Sequence, residues 1–563
     1  MKYPAVTNDA FPRSVTSNFK KYKIDKNKTF KEYCYPTKIE LQLPQQFVGQ
    51  FINPSTPYKG LMIYHKIGSG KTCSGITIAE QWKGKRKIVV LVPASLIGNF
   101  RKEIRDVCGN GYVTKADRAV LNHYNQFDPQ YKAVMKVIDK RIDKHYNIMS
   151  YNKYIALVQK KKISLKNTLL IIDEVQNMVS EHGSYYRLLK KSIDNAPNDL
   201  RVVLLTATPM FDKPMELALT MNLLKLPKPI PIGTQFNQQY LNQYISTNNT
   251  IEYRSKNLAS LKRYLLGYVS YFQGAPQYTF PTHDIHFVRC NMSDYQFRCY
   301  RTVIMKEKAF NTTDIMALPN NFFIGPRMIS NIAFPKKLVG RAGYLALKKK
   351  HLLMKNIKTY SNKFYKILRK VKQADGPVFI YSNFKEYGGI LSLIKVFQAN
   401  GFKDYKTKGE GSKRFAVWSG DESLQYREEI KFAYNKPKNK DGSTLKVLFG
   451  SPAIKEGVSL LRVSQVHILE PHWNWSRLDQ VMGRALRYCS HKDLPRQDRH
   501  VDIYIYLSTH PKDRLTIDRH IINMAKSKKK IIGEFETALK EAAVDCRLNE
   551  KANKGDKVTC MVK

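Results

Sequence analysis

Apolar residues in this chain gather into short runs separated by longer mixed stretches. In the first half the runs are 61–64, 87–93, Tyr146–Ser150 (the weakest), Thr168–Asp173 and Arg201–Thr206. A continuous apolar run closed by a turn residue predicts a strand buried on both faces, and the intervals between these runs have helical length. Buried strands alternating with helices predict a parallel, doubly wound sheet, which binds ligands at the carboxyl ends of its strands. From about 221 to 375 the alternation stops, and the stretch reads as mostly helical with a polar loop near 246–250. A second set of runs follows at 376–382, 415–420, 445–451, 466–470 and 501–506, predicting a second α/β unit. Residues 1–36 are polar and basic without a clear period, 41–51 read as a loop entering a helix, and beyond 513 a helical segment gives way at 552–563 to an expected loose tail. The expected organisation is therefore 1–36, 37–220, 221–375, 376–512 and 513–563.

Charge changes this picture. The 563 residues carry 95 Lys+Arg against 46 Asp+Glu, a net charge of +49, which calls for a polyanionic partner, most simply nucleic acid. Between Ile315 and Ala374 there are fourteen Lys or Arg and no Asp or Glu, with Phe322, Phe323, Phe334, Tyr344, Tyr360, Phe364 and Tyr365 interleaved. That pattern predicts a groove tracking a phosphate backbone, although a solvated helix face with its aromatics turned inward would read the same way. The eight cysteines include no C-x-x-C pair, so no zinc site is expected; their scatter suggests a reducing compartment, and Cys73 reads as a packed thiol. The N-terminal residues have no apolar signal core, and no apolar run approaches the ~18 residues that cross a bilayer, so no membrane partner is expected.

The chemistry-bearing residues lie at the ends of the predicted strands. After the run 61–64 come His65-Lys66-Ile67-Gly68-Ser69-Gly70-Lys71-Thr72. Glycines let backbone N–H groups curl around phosphates, a helix N-terminus adds partial positive charge, Lys71 can reach the β- and γ-phosphates, and Thr72 can ligate Mg²⁺. The full phosphate-loop pattern has glycine where His65 stands. Asp173-Glu174-Val175-Gln176 closes the next strong strand with paired carboxylates. Asp173 is assigned to the metal and Glu174 to the base that polarises an attacking water. Thr206 and Thr208 end the following strand with hydroxyls that could reach the acidic pair. In the second unit, a small-residue loop around Gly457 precedes Gln480-Val-Met-Gly-Arg484-Ala-Leu-Arg487, whose two arginines would share one helical face at i, i+3. Such guanidinium groups can neutralise charge on a transferring phosphoryl group.

This ordered set resembles motifs I, II, III, V and VI of superfamily 2 helicases, and Gln46 stands where that superfamily has an adenine-reading glutamine. The chain is similar, over roughly 37–548, to the nucleoside triphosphatase I and early-transcription-factor helicases of large cytoplasmic DNA viruses. That likeness is carried by Leu61-Met-Ile-Tyr-His65, Gly267-Tyr-Val-Ser-Tyr-Phe272, Met292-Ser-Asp-Tyr-Gln296 and the run from Met328 to Pro335, and continues through 516–546. Gln176 departs from the family's frequent histidine. The resemblance implies two RecA-like parallel-sheet domains, 37–220 and 376–512, with a helical basic insertion between them and a helical C-terminal segment. It implies ATP and Mg²⁺ in the cleft between the sheets, with Lys71, Thr72, Asp173, Glu174 and Gln176 on one side and Arg484 and Arg487 on the other. Gln46, His65–Thr72, Thr206, Thr208, Gly457 and Gln480 would complete the nucleotide contacts. It further implies DNA-dependent ATP hydrolysis, translocation, transcript release with a viral RNA polymerase, and a place in the virion and host cytoplasm. An initiation-factor ATPase and a non-enzymatic DNA-packaging protein are the competing readings. Intact Lys71, Glu174 and Arg487 argue against the packaging protein.

Overall fold

The computed structural model describes residues 3–25, 28–37, 40–66, 68–125, 128–246, 250–306, 313–318, 323–455, 458–513, 515–556 and 558–561. The chain forms two compact units. Unit 1 comprises Met1–Asn242, Tyr253–Pro276 and Ile531–Lys563, and unit 2 comprises Gln243–Glu252 and Gln277–Lys530. Among the described residues, no helix is long and apolar enough to cross a membrane.

The runs expected as strands in unit 1 are strands: Gly60–His65 (β1), Lys87–Val92 (β2), Tyr146–Ser150 (β3), Thr168–Asp173 (β4) and Arg201–Thr206 (β5). The chain then forms Leu241–Ile245 (β6) and Thr250–Ser255 (β7) before Val269–Phe272 (β8), which pairs with β1 and completes an all-parallel sheet in the order β3-β2-β4-β5-β1-β8. Every residue of β1 and β4 is buried, because helices cover both faces of the sheet.

Unit 2 begins its sheet with Thr282–Asn291 (β9). Thr313–Asp314 (β10) pairs with the start of β7, and the remaining strands are Val378–Tyr381 (β11), Lys403–Asp404 (β12), Gly411–Trp418 (β13), Leu445–Gly450 (β14), Gln465–Ile468 (β15) and His500–Thr509 (β16). Their order is β12-β13-β14-β11-β15-β16-β9, again all parallel. Each unit is thus a doubly wound parallel α/β domain, the fold class expected from the alternating runs.

Three expectations about organisation are corrected. The stretch 221–375 is not a separate helical insertion, because it supplies the edge strand β8 to one sheet and β9 to the other. The N-terminal residues are not a mere basic extension. Phe11, Val15, Phe19 and Tyr22 pack into the unit 1 core, where Phe19 meets Phe47 edge-on at 5.2 Å. Nor are 552–563 a loose tail as far as they are described: the C-terminal segment docks on β8, with Asn549 Nδ2 donating to the Tyr271 carbonyl at 3.1 Å and Gln273 N–H to Asn553 Oδ1 at 2.9 Å.

The cysteines depart from expectation too. Cys73 is bonded to Cys108 and Cys546 to Cys560. The pairs lie 35 and 14 residues apart, spacings that carry no signal until the fold brings the backbones together.

Among the described residues of unit 2, burial holds four buried histidines, His467, His472, His491 and His520, below the ordinary imidazole range. Burial holds His467 and His472 down to about 3 and His491 to about 4. Their folded values lie below the ordinary one, so the unfolded chain takes up protons first and stability is lost as the pH falls from about 6.5 towards 4. Each costs about 2 kcal/mol by pH 5. Buried Glu470, held above the usual carboxylate range by burial, acts in the opposite direction but is outnumbered by the buried histidines. Calorimetry at pH 7 and pH 5 is expected to show the unit 2 transition falling on acidification, and His467→Gln is expected to flatten that slope.

Candidate active site

The phosphate loop leaves β1 and enters the helix Lys71–Trp82 through two glycines in the left-handed region, Gly68 at φ 84° and Gly70 at φ 68°. A Cβ on Gly70 would lie 2.2 Å from Gln45 Nε2, so only glycine fits. Gln45 explains the tightness: its buried amide donates to the carbonyls of Ser69 and Gly70 at 3.2 and 3.1 Å. The sequence pointed to Gln46 of this pair and gave no sign of Gln45's hold on the loop. Gln46 instead donates to the Leu41 carbonyl at 2.8 Å. Only the helical phase of 43–51, which turns Gln45 inward and leaves Gln46 half-buried, separates the two.

Lys71 Nζ stands 2.9 Å from Glu174 Oε1. Gln176 Nε2 donates to Glu174 Oε2 at 2.7 Å, Thr206 Oγ1 donates to Gln176 Oε1 at 2.7 Å, and Thr208 N–H closes on Thr206 Oγ1 at 3.0 Å. Lys71, Glu174, Gln176, Thr206 and Thr208 therefore form one continuous chain across the ends of β4 and β5. Gln176, in place of the family's frequent histidine, bridges the acidic pair to the threonines because its amide both donates and accepts. Glu174 sits at φ 52°, an uncommon conformation for a side-chain-bearing residue, and Tyr151 donates to its carbonyl at 3.0 Å.

Asp173 is buried, accepts Glu174 N–H at 3.0 Å and lies beside the Thr72 side chain. Burial pushes its carboxyl up; Lys71 opposes this and Glu174 adds to it. A hydroxyl beside a carboxylate is a hard-oxygen donor set of the kind Mg²⁺ takes. Ser69 Oγ is buried and, among the described residues, has no hydrogen-bond partner, as fits a loop built to wrap an anion. The residues present therefore fit Mg²⁺ with a nucleoside triphosphate.

Other expected contacts sit differently. His65 is wholly buried, with Nε2 2.9 Å from Ser270 Oγ and Nδ1 3.4 Å from Ser74 Oγ, and so braces the loop from behind. Burial drives its imidazole down to about 3, which keeps it neutral. Lys66 Nζ is 3.5 Å from Asp556. Ile67 lies outside the described residues, as does Gly457 in unit 2.

Arg484 and Arg487 do not share a helical face. The helix Trp475–Met482 ends before them, where Arg484 Nε caps the Gln480 carbonyl at 3.0 Å and the chain turns. Both guanidinium groups nonetheless converge on one acceptor, the Val458 carbonyl, at 3.3 and 3.5 Å.

The basic stretch of unit 2 keeps its charge but not its expected stacking surface. Lys336, Lys337, Arg341, Lys348, Lys349, Lys350, Lys355, Lys358, Arg369 and Lys372 are exposed. Phe334 and Phe364 are core residues, and Tyr344, Tyr360 and Tyr365 pack against that core half-buried. Phe322 lies outside the described residues. The aromatics are the inner face of these helices, so the surface offers cations rather than rings.

A phosphate loop, an acidic pair and a linking glutamine and threonines at one sheet's strand ends, with a second parallel-sheet unit carrying paired arginines, define the class of helicase-type ATPases. Residues 46–339 match the SNF2-related domain and 361–489 the helicase conserved C-terminal domain. A protein of Acanthamoeba polyphaga mimivirus named as ATP-dependent RNA helicase R563 is 49% identical, with 98% of this chain and 97% of that one covered. A termination factor NPH-I homolog of African swine fever virus (isolate Pig/Kenya/KEN-50/1950) is 26% identical, with 90% of this chain and 78% of that one covered. The chain belongs to the SNF2-related superfamily 2 helicases, in the group carried by large DNA viruses, and is an ATP-hydrolysing enzyme of that family.

Proposed function

We propose that this enzyme is a DNA-stimulated ATPase that moves along nucleic acid and releases transcripts in viral transcription, in contact with the viral RNA polymerase, in the virion and host cytoplasm. The observation that carries the ATPase part is the continuous chain from Lys71 to Thr208. In this reading Gly68, Ser69 and Gly70 wrap the phosphates, Lys71 binds the β- and γ-phosphates, and Thr72 and Asp173 hold Mg²⁺. Bound there, the ion supplies charge neutralisation at the phosphates. Glu174 orients and deprotonates the attacking water, and Gln176 passes the state of that carboxylate to Thr206 and Thr208. Gln46 reads the adenine. Arg484 and Arg487, held together on the Val458 carbonyl, are the guanidinium groups that would neutralise charge on a transferring phosphoryl group.

The ten exposed cations of the 315–374 stretch, which contains no Asp or Glu, support a phosphate-backbone track. The swine fever virus relative's name supports transcript release, while the mimivirus relative's name supports a second reading in which the track is RNA. ATP turnover measured alone and with single-stranded DNA, duplex DNA or RNA separates them. DNA is expected to stimulate turnover several-fold beyond RNA and to lose that effect as salt rises; stimulation by RNA alone would establish the RNA reading. Release of transcripts from stalled viral polymerase, dependent on hydrolysis, then tests the role.

A further inference from the structure

Three consecutive residues carry β1 into the phosphate loop, and each leads to a carboxylate of the C-terminal segment. Tyr64 is fully buried, and the Glu536 carboxylate adds to the burial that keeps its hydroxyl protonated. His65 meets Ser270, which donates to Asp545 Oδ2 at 2.6 Å, and the second oxygen of Asp545 accepts Tyr271 N–H at 2.9 Å. Lys66 Nζ lies 3.5 Å from Asp556, which also accepts from the Tyr271 hydroxyl and pairs with Lys540 at 3.3 Å. The loop starts on this same footing, because Ser69 N–H closes on the Lys66 carbonyl at 3.2 Å. On its other side His65 reaches Ser74, one turn into the phosphate-loop helix.

The segment that supplies the carboxylates is itself pinned. Val544 N–H donates to the Val269 carbonyl at 2.8 Å, Asn549 and Asn553 hold the end of β8, and the Cys546–Cys560 disulfide closes the loop that carries Asn549, Asn553 and Asp556. A segment that merely covered a sheet edge would need backbone pairing and apolar contact. It would not need a separate acid for each residue entering the phosphate loop.

We propose that the C-terminal segment is a positioning part of the nucleotide site: Asp556 fixes Lys66, and Asp545, through Ser270 and His65, fixes the start of the phosphate-loop helix. The inference rests on reading 65–72 as the ATP site. Loop N–H groups bind phosphate only when their spacing is held, and displacements of an ångström at such sites cost up to about a hundredfold.

The test uses the full chain, with MgATP turnover and titration of a fluorescent ATP analogue. Asp556→Asn is expected to raise KM and the analogue's Kd together by about tenfold, with kcat changed far less, and Asp556→Glu to recover most of the loss. Lys66→Met should match Asp556→Asn, and the double variant should be no worse than either. Ser270→Ala, which breaks the second path without removing a charge, should also raise KM while the chain stays folded at the assay temperature. Wild-type KM in both Asp556→Asn and Ser270→Ala, or losses that simply add in the double variant, would overturn the proposal. Lys71→Ala run alongside keeps the two readings apart: if it still binds and turns over ATP, the phosphate-loop assignment fails, whatever the C-terminal variants do.

Discussion

Lys71→Ala is expected to lower ATP turnover on the order of 10³-fold or more while leaving nucleic-acid binding intact. Lys71 is only 11% exposed and holds Glu174 at 2.9 Å, so its removal takes away both the cation at the phosphates and the ion pair that steadies the Glu174 carboxylate. The exposed cations of the basic stretch belong to unit 2 and are untouched. Glu174→Gln should separate binding from chemistry. It keeps Lys71 and the loop, so the fluorescent ATP analogue should still bind, yet it has no base and should lose turnover comparably. Filter binding of labelled DNA and steady-state phosphate release distinguish the two variants. Turnover surviving in Lys71→Ala would mean that the loop does not hold the triphosphate.

The second large effect concerns stability. Lys363 and Asp518 form an ion pair at 2.6 Å in which both side chains are 0% exposed. Lys363 also donates to Asn331 Oδ1 at 3.0 Å, Asn331 donates to Glu470 at 3.1 Å, and Glu470 accepts Ser382 Oγ at 3.0 Å. Asp518 accepts Ser508 N–H at 2.7 Å. The network thereby ties the ends of β11, β15 and β16 to the helices Asn362–Gln373 and Ile517–Glu541. Lys363→Met leaves a buried carboxylate without its cation, and urea unfolding should show the unit 2 transition destabilised by about 3–5 kcal/mol. Lys363→Met with Asp518→Leu should recover a large part of that, because no buried charge then remains. A single-variant loss below about 1 kcal/mol would show that water already reaches the pair.

What the sequence displayed was decided by burial. Strands such as β1 and β4 are covered on both faces, so they had to be unbroken apolar runs and could be read directly. The edge strand β9 has only Cys290 fully buried, and its Thr-His-Asp-Ile-His-Phe order follows no pattern that burial would impose. β8 is only Val269–Phe272, too short to stand out from a helical neighbourhood. That Lys71, Glu174, Gln176 and Thr206 would come together was legible because all four stand at or just beyond the ends of readable strands. The choice between Gln45 and Gln46 depended on the rotation of one helix, and the arginine pair was misplaced on a helix because Arg484 itself caps that helix. The C-terminal docking was invisible for a different reason. It is built from asparagines, aspartates and a disulfide, which in a list of residues look like a solvated end.

The nesting of the units has a consequence for how the protein is made. All of 277–530 emerges from the ribosome before 531–563, so the inner unit can be complete while the outer one still lacks the piece that caps β8 and faces Tyr64, His65 and Lys66. Synthesis order and folding order are thereby uncoupled for the nucleotide-binding half, which cannot mature as a simple N-terminal domain. A clone stopped at Pro276 for biochemical convenience would isolate the phosphate loop without its support.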